Sequence, residues 1–253
     1  MIKFFRNIRK SLLTENRVSK YLVYAFGEIV LVVIGILIAL QINNWNEDRK
    51  QNKLEQDYLK ALRKEFKNNL KEVDKVIRIN ESQLNFAKEL ADYTGPEQSN
   101  ISEKKFAELF FGLINSEVQY RPGTGVTNEI LNSGKLNIFK NEELKEALAS
   151  MDGLLLKIRF QENEELSFVR YELLKLAYSK LGLRRMAFDA LGENFGLDKG
   201  RFLESNLHVL SSKEFDNWIM GFIFTSGYLD GRYKVLKKQL ENIISIIDNQ
   251  IVS

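Results

Sequence analysis

The chain has 253 residues, 44% of them hydrophobic and 28% charged, with two prolines and no cysteine. That charge content excludes a polytopic membrane protein, and the missing cysteine removes disulfide frameworks, thiol nucleophiles and thiolate metal sites. The net charge of +3 is unevenly placed: residues 1–20 hold six Lys/Arg against Glu15, whereas 31 cations and 32 acids follow from residue 43 on, so a basic end on a neutral body points to a membrane surface and to no nucleic acid.

In chain order, "MIKFFRNIRKSLL" sets Phe4, Phe5, Ile8 and Leu12 against Lys3, Arg6, Arg9 and Lys10. This is the pattern of a short amphipathic helix on anionic lipid. Tyr21 to Ile42 follows, 22 residues that make about 33 Å of helix at about 1.5 Å per residue, enough for a bilayer core. The run is too long for a signal-peptide core and ends in "QINNW" with no small-x-small cleavage site, so an uncleaved anchor is expected. Its cationic flank comes first, so the N-terminus is expected in the cytoplasm and residues 43–253 outside it. Tyr21, Tyr24 and Trp45 fall where interfacial rings belong.

Glu28 is the exception inside this span. At 100° per residue it lines up with Val32, Gly35, Ala39 and Asn46 within about 40°, on one helix face. Gly35 and Ala39 form a small-xxx-small pair that lets two helices approach closely. The stripe therefore reads first as a transmembrane contact face. A proton or ion pathway and a tolerated near-interface carboxylate are the other two readings.

The exported part reads as all-α. Neither glycine nor proline occurs between Ile36 and Thr94, so the span is expected to run on into a long helix with Tyr58, Leu62, Phe66, Leu70, Val73, Ile77, Leu84 and Ala87 as its buried stripe, stopped by Gly95-Pro96. Ser102 is a candidate N-cap for a short helix, "YRPGTG" reads as a turn, and Thr127 to Asn132 gives another short helix. Asn141 caps a second long helix with a stripe from Leu144 to Leu176. Residues 181–211 are glycine-rich and looser. Ser212 opens a third long helix carrying Phe222, Leu229, Leu236 and Ile243 at heptad spacing, with a kink expected near Gly227 and Gly231. The expected fold is a single transmembrane helix, residues 21–42, preceded by a basic cytoplasmic segment, residues 1–20. It continues into an antiparallel bundle of three long helices and short connecting helices, residues 43–253.

No constellation of catalytic type stands out. His208 has no partner in sequence, and "RPGTG" lacks a phosphate-loop pattern. Glu162, Glu164 and Glu165 read as a solvated helix face. Asp189, Glu193 and Asp198 do not match a calcium loop. No catalytic, metal or cofactor residue is expected. "TNEILNSGKLNIFKNEEL" is dense in cap residues, and Asn132, Ser133, Gly134, Lys135 and Asn141 form a candidate partner-facing corner, although caps alone explain them.

"LVYAFGEIVLVVIGILIALQINNWNE" together with "EILNSGKLNIFKNEELKEAL" resembles DUF6090, an uncharacterised family of Bacteroidota membrane proteins. The resemblance implies an inner-membrane address with a periplasmic helical body, and brings no activity. A non-catalytic interaction or scaffold module is the expected function, in contact with membrane lipid and oligomeric with itself or with another membrane protein. The alternative is a periplasmic sensor that signals through a partner membrane protein.

Overall fold

The computed structural model describes residues 18–97, 100–192, 196, 198–202 and 204–251, and among them every regular element is helical. The chain divides into two compact units, Met1–Asp57 and Tyr58–Ser253. The first helix, α1 (Val18–Ala91), runs through both.

In the first unit α1 is bare. Each large aliphatic side chain from Leu22 to Ile42 is exposed, and so is Trp45. The helix is long and apolar enough there to cross a membrane.

In the second unit α1 turns one face inward. Its buried positions recur mostly in steps of three and four, and at Asn69, Asn80 and Gln83 that face is polar. The stripe expected from apolar residues alone is therefore rotated: Leu62, Phe66, Val73, Ile77 and Ala87 are buried, while Tyr58, Leu70 and Leu84 are only half-buried. The helix ends at Ala91, and the turn after it leads to Gly95, where φ is +150° and a side chain would be strained.

The second long helix comprises α2 (Glu142–Phe160), a π-helical turn (Gln161–Leu166) and α3 (Ser167–Lys180). Asn141 caps it by accepting from the Leu144 N–H at 2.8 Å. The expected stripe had an eight-residue gap between Ile158 and Leu166. A straight α-helix would rotate by about 80° over that gap, and the wider π turn takes up the difference. Both Gln161 and Glu162 are buried as a result.

The third, α4 (Lys213–Asp248), opens on Ser212, whose hydroxyl accepts from the Phe215 N–H, and passes Gly227 and Gly231 without interruption. Phe215, Phe222, Leu229, Tyr233, Leu236 and Ile243 fill the core from this side.

Contacts fix the directions. Lys237 pairs with Asp74 at 2.8 Å, Arg63 with Asp248, and the Asn80 amide donates to the Ser226 carbonyl at 3.0 Å, so α4 runs antiparallel to α1. Tyr233 meets Glu162, and Phe168 meets Trp218 edge-on at 5.9 Å, so α4 is antiparallel to the second long helix as well. The first two long helices thus run the same way, and the chain must travel back between them.

It does so through residues 92–141. A short helix, α5 (Glu103–Ile114), is capped by Ser102, which accepts from the Lys105 N–H at 3.1 Å. It packs Phe106 against Phe215 with ring centroids 6.2 Å apart. At Gly112 a Cβ would lie 2.7 Å from the Phe86 ring, so only glycine permits this approach to α1. An extended strap, residues 115–124, then returns along α1 to α6 (Gly125–Asn132) and a 3₁₀ turn (Lys135–Ile138). Its residues alternate, with Val118 and Tyr120 buried and Glu117 and Arg121 exposed. "YRPGTG" is the end of this strap and not the turn expected. At the opposite end α7 (Leu183–Leu191) and a second 3₁₀ turn (Asn206–Ser211) connect to α4.

Candidate functional site

The candidate contact face of the span lies on an unbroken stretch of α1. Glu28 is half-buried, and Val32, Gly35, Ala39 and Asn46 are exposed along one stripe. A Cβ built at Gly35 meets no atom within 4 Å, so the glycine leaves a shallow notch among bulky neighbours. The proposed membrane-surface residues Lys3, Arg6, Arg9 and Lys10 lie outside the described residues, as do the side chains of Tyr21 and Tyr24.

In the second unit the candidate corner is anchored to α1. Lys135 donates to both Tyr58 Oη and Glu129 Oε1 at 2.6 Å, its ammonium lies 5.2 Å from the Tyr58 ring centroid, and the Tyr58 hydroxyl donates to Glu129. The Lys135 ammonium and Tyr58 hydroxyl hold the Glu129 carboxyl below the usual carboxylate range, and Glu129, with the Tyr58 hydroxyl, raises Lys135. Asn132, Ser133 and Gly134 are exposed at its tip; Gly134 has φ +70° and Ser133 turns its N–H back to the Glu129 carbonyl at 3.1 Å. Asn141 is the helix cap already described. Only the tip is therefore open to a partner.

The sequence did not disclose how the strap is held. Extended backbone with no neighbouring strand needs other partners for its N–H and C=O groups. Here side chains supply them. Gln83 donates to the Ser116 carbonyl at 2.6 Å, and Arg170 reaches the carbonyls of Ile114 and Ser116. Asn69 both donates to the Gly123 carbonyl and accepts from its N–H, each at 2.8 Å. Glu65 caps α6 by accepting from the Val126 and Thr127 N–H groups at 2.7 and 3.0 Å.

Glu162 is the centre of this set. Its Oε1 accepts from the Tyr120 N–H at 2.8 Å and the Tyr233 hydroxyl at 2.6 Å, and Arg159 meets Oε2 at 3.3 Å. Its side chain is 1% exposed, so the solvated face expected for the acidic run is corrected here: Glu164 is exposed and Glu162 is enclosed. Burial first, and then the bond to Glu162, keep the Tyr233 hydroxyl protonated far above the ordinary tyrosine range. One carboxylate thus ties the strap, the π turn and α4 together. His208, by contrast, is exposed and bonds the Ser205 carbonyl at 2.7 Å through Nδ1.

Comparison with known proteins yields no match among curated proteins or solved structures. A family model does match from Glu28, through the remainder of the span, the strap and the corner, to Phe168 beyond the π turn. That is more than half of the chain, and the protein belongs to the family of unknown function DUF6090 over residues 28–168.

Proposed function

We propose that the protein is a single-pass inner-membrane interaction or scaffold module, with its N-terminus cytoplasmic and its helical body in the periplasm. In this reading it assembles with itself or with another membrane protein through the Glu28–Val32–Gly35–Ala39 face. Support for the bilayer is energetic. Fourteen large apolar side chains left half-exposed from Leu22 to Ile42 would cost roughly 10–20 kcal/mol in water, more than most domains have to spare. Lipid removes that cost, and the cationic residues before the span favour the stated orientation.

The observation that carries assembly is the notch at Gly35, beside Ala39 and on the same stripe as the span's one carboxylate. Between helices in lipid, close backbone approach and polar contacts replace the hydrophobic drive that is absent there. The buried carboxylate Glu162 supports a non-catalytic role, because its oxygens are taken up by Tyr120, Tyr233 and Arg159.

The test is Gly35→Leu, with the mass of the complex extracted from native membranes as the readout. The wild-type chain is expected in a homo-oligomer or in a stoichiometric complex with a second membrane protein, and the variant as an inserted monomer. A monomeric wild type, or a complex unchanged by the leucine, overturns the reading.

A further inference from the structure

A cleft of about 520 Å³ lies between the outer flank of α1 and the end of the strap, wholly within the second unit. Such a volume suits a small ligand. Several of its polar groups are already engaged: Glu65 caps α6, Asn69 holds Gly123, and Arg121 is paired with Glu117 at 2.6 Å. Three others stand in one row along α1. Lys64, Asn68 and Glu72 follow one another at four-residue intervals, so their side chains share a face, with about 12 Å of helix between the first and the last. Lys64 and Asn68 have no polar partner among the described residues. Glu72 has only an exposed ammonium, Lys75, at 3.8 Å. The remaining wall is formed by Ala61, Gly123 and Val126, none of which carries a charge.

We infer that this cleft binds a short zwitterionic peptide of two or three residues. Its C-terminal carboxylate sits on Lys64, its N-terminal ammonium on Glu72, and its backbone on the Asn68 amide. The length agrees: an extended chain spans about 3.3–3.6 Å per residue, so three residues with their charged ends cover the row. The polarity is fixed by the order of the charges along the helix. Binding of this kind gives the periplasmic body a ligand of its own, and it does not depend on assembly through the span.

The experiment is calorimetric titration of the full chain in detergent with tri-alanine, its N-acetyl derivative and its C-terminal amide. Wild type is expected to bind tri-alanine saturably and each capped peptide about tenfold more weakly, the loss of one charge-assisted contact. Lys64→Ala should bind the free and amidated peptides alike, and Glu72→Ala the free and acetylated peptides alike. Each variant should leave the melting temperature of the unliganded protein unchanged. The three peptides on wild-type protein test the idea independently of any variant. Absence of saturable tri-alanine binding overturns it, as does binding indifferent to both caps, or a cap effect that fails to pair with its own residue. None of these results bears on the Gly35 test.

Discussion

Glu162 carries more than its charge suggests. Removing its carboxylate strands the Tyr233 hydroxyl and the Tyr120 N–H in the core at once, and a buried donor left without a partner costs about 1–3 kcal/mol. Glu162→Ala is therefore expected to lower stability by roughly 2–5 kcal/mol, and Tyr233→Phe, which removes one donor to a charged acceptor, by about 1.5–3 kcal/mol. Thermal unfolding of the detergent-solubilised chain at neutral pH measures both; a loss below about 1 kcal/mol for Glu162→Ala would contradict the role given to it. Nothing local in "QENEEL" marks the second position as buried. An α-helical period runs across it on the sequence, and the π turn changes the count. Asn69, Asn80 and Gln83 escape an apolar period for a related reason: these amides lie on the inner face because the strap and α4 offer them backbone partners.

Among the elements, those whose signals are local were legible. Ser102, Asn141 and Ser212 cap the helices that follow them, and glycine and proline stop α1, because each signal acts within a turn of its own position. The strap was not legible, since its conformation is set by side chains 30 to 60 residues away in sequence. The corner was recognised as a set of caps, but its tie to α1 through Tyr58 has no sequence signature. That tie makes the corner sensitive to pH in a defined sense. The Glu129 pKa is depressed in the folded protein, so its stabilisation is present above the unfolded carboxylate pKa and is lost as pH falls through the folded one. The Lys135 pKa is raised, so its stabilisation is present below the unfolded lysine pKa and is lost as pH rises through the folded one. Both groups are exposed and the effect is local. Amide protection over residues 125–138, corrected for intrinsic exchange, is expected to stay level between those ranges and to fall on either side; protection that holds at acid pH counts against the Glu129 contact.

At the scale of the whole chain, the two units make different demands. The bare apolar stretch of α1 predicts that alkaline carbonate leaves the full chain in the membrane pellet and that detergent releases it; release by carbonate would contradict a spanning helix. The second unit has the opposite character, since its stability depends on segments far apart in sequence. The Asn80 amide finds its acceptor 146 residues later, at Ser226, and Arg63 meets Asp248 across 185 residues. At about 5–20 residues per second, a ribosome needs roughly 7–30 s to make the stretch between Asn80 and Ser226. Throughout that interval the inner face of α1 has been synthesised and the helix that covers it has not. The nascent chain must therefore be kept from its neighbours until α4 is made, and a truncation that removed α4 would leave the inner face of α1 and the second long helix without the surface they pack against.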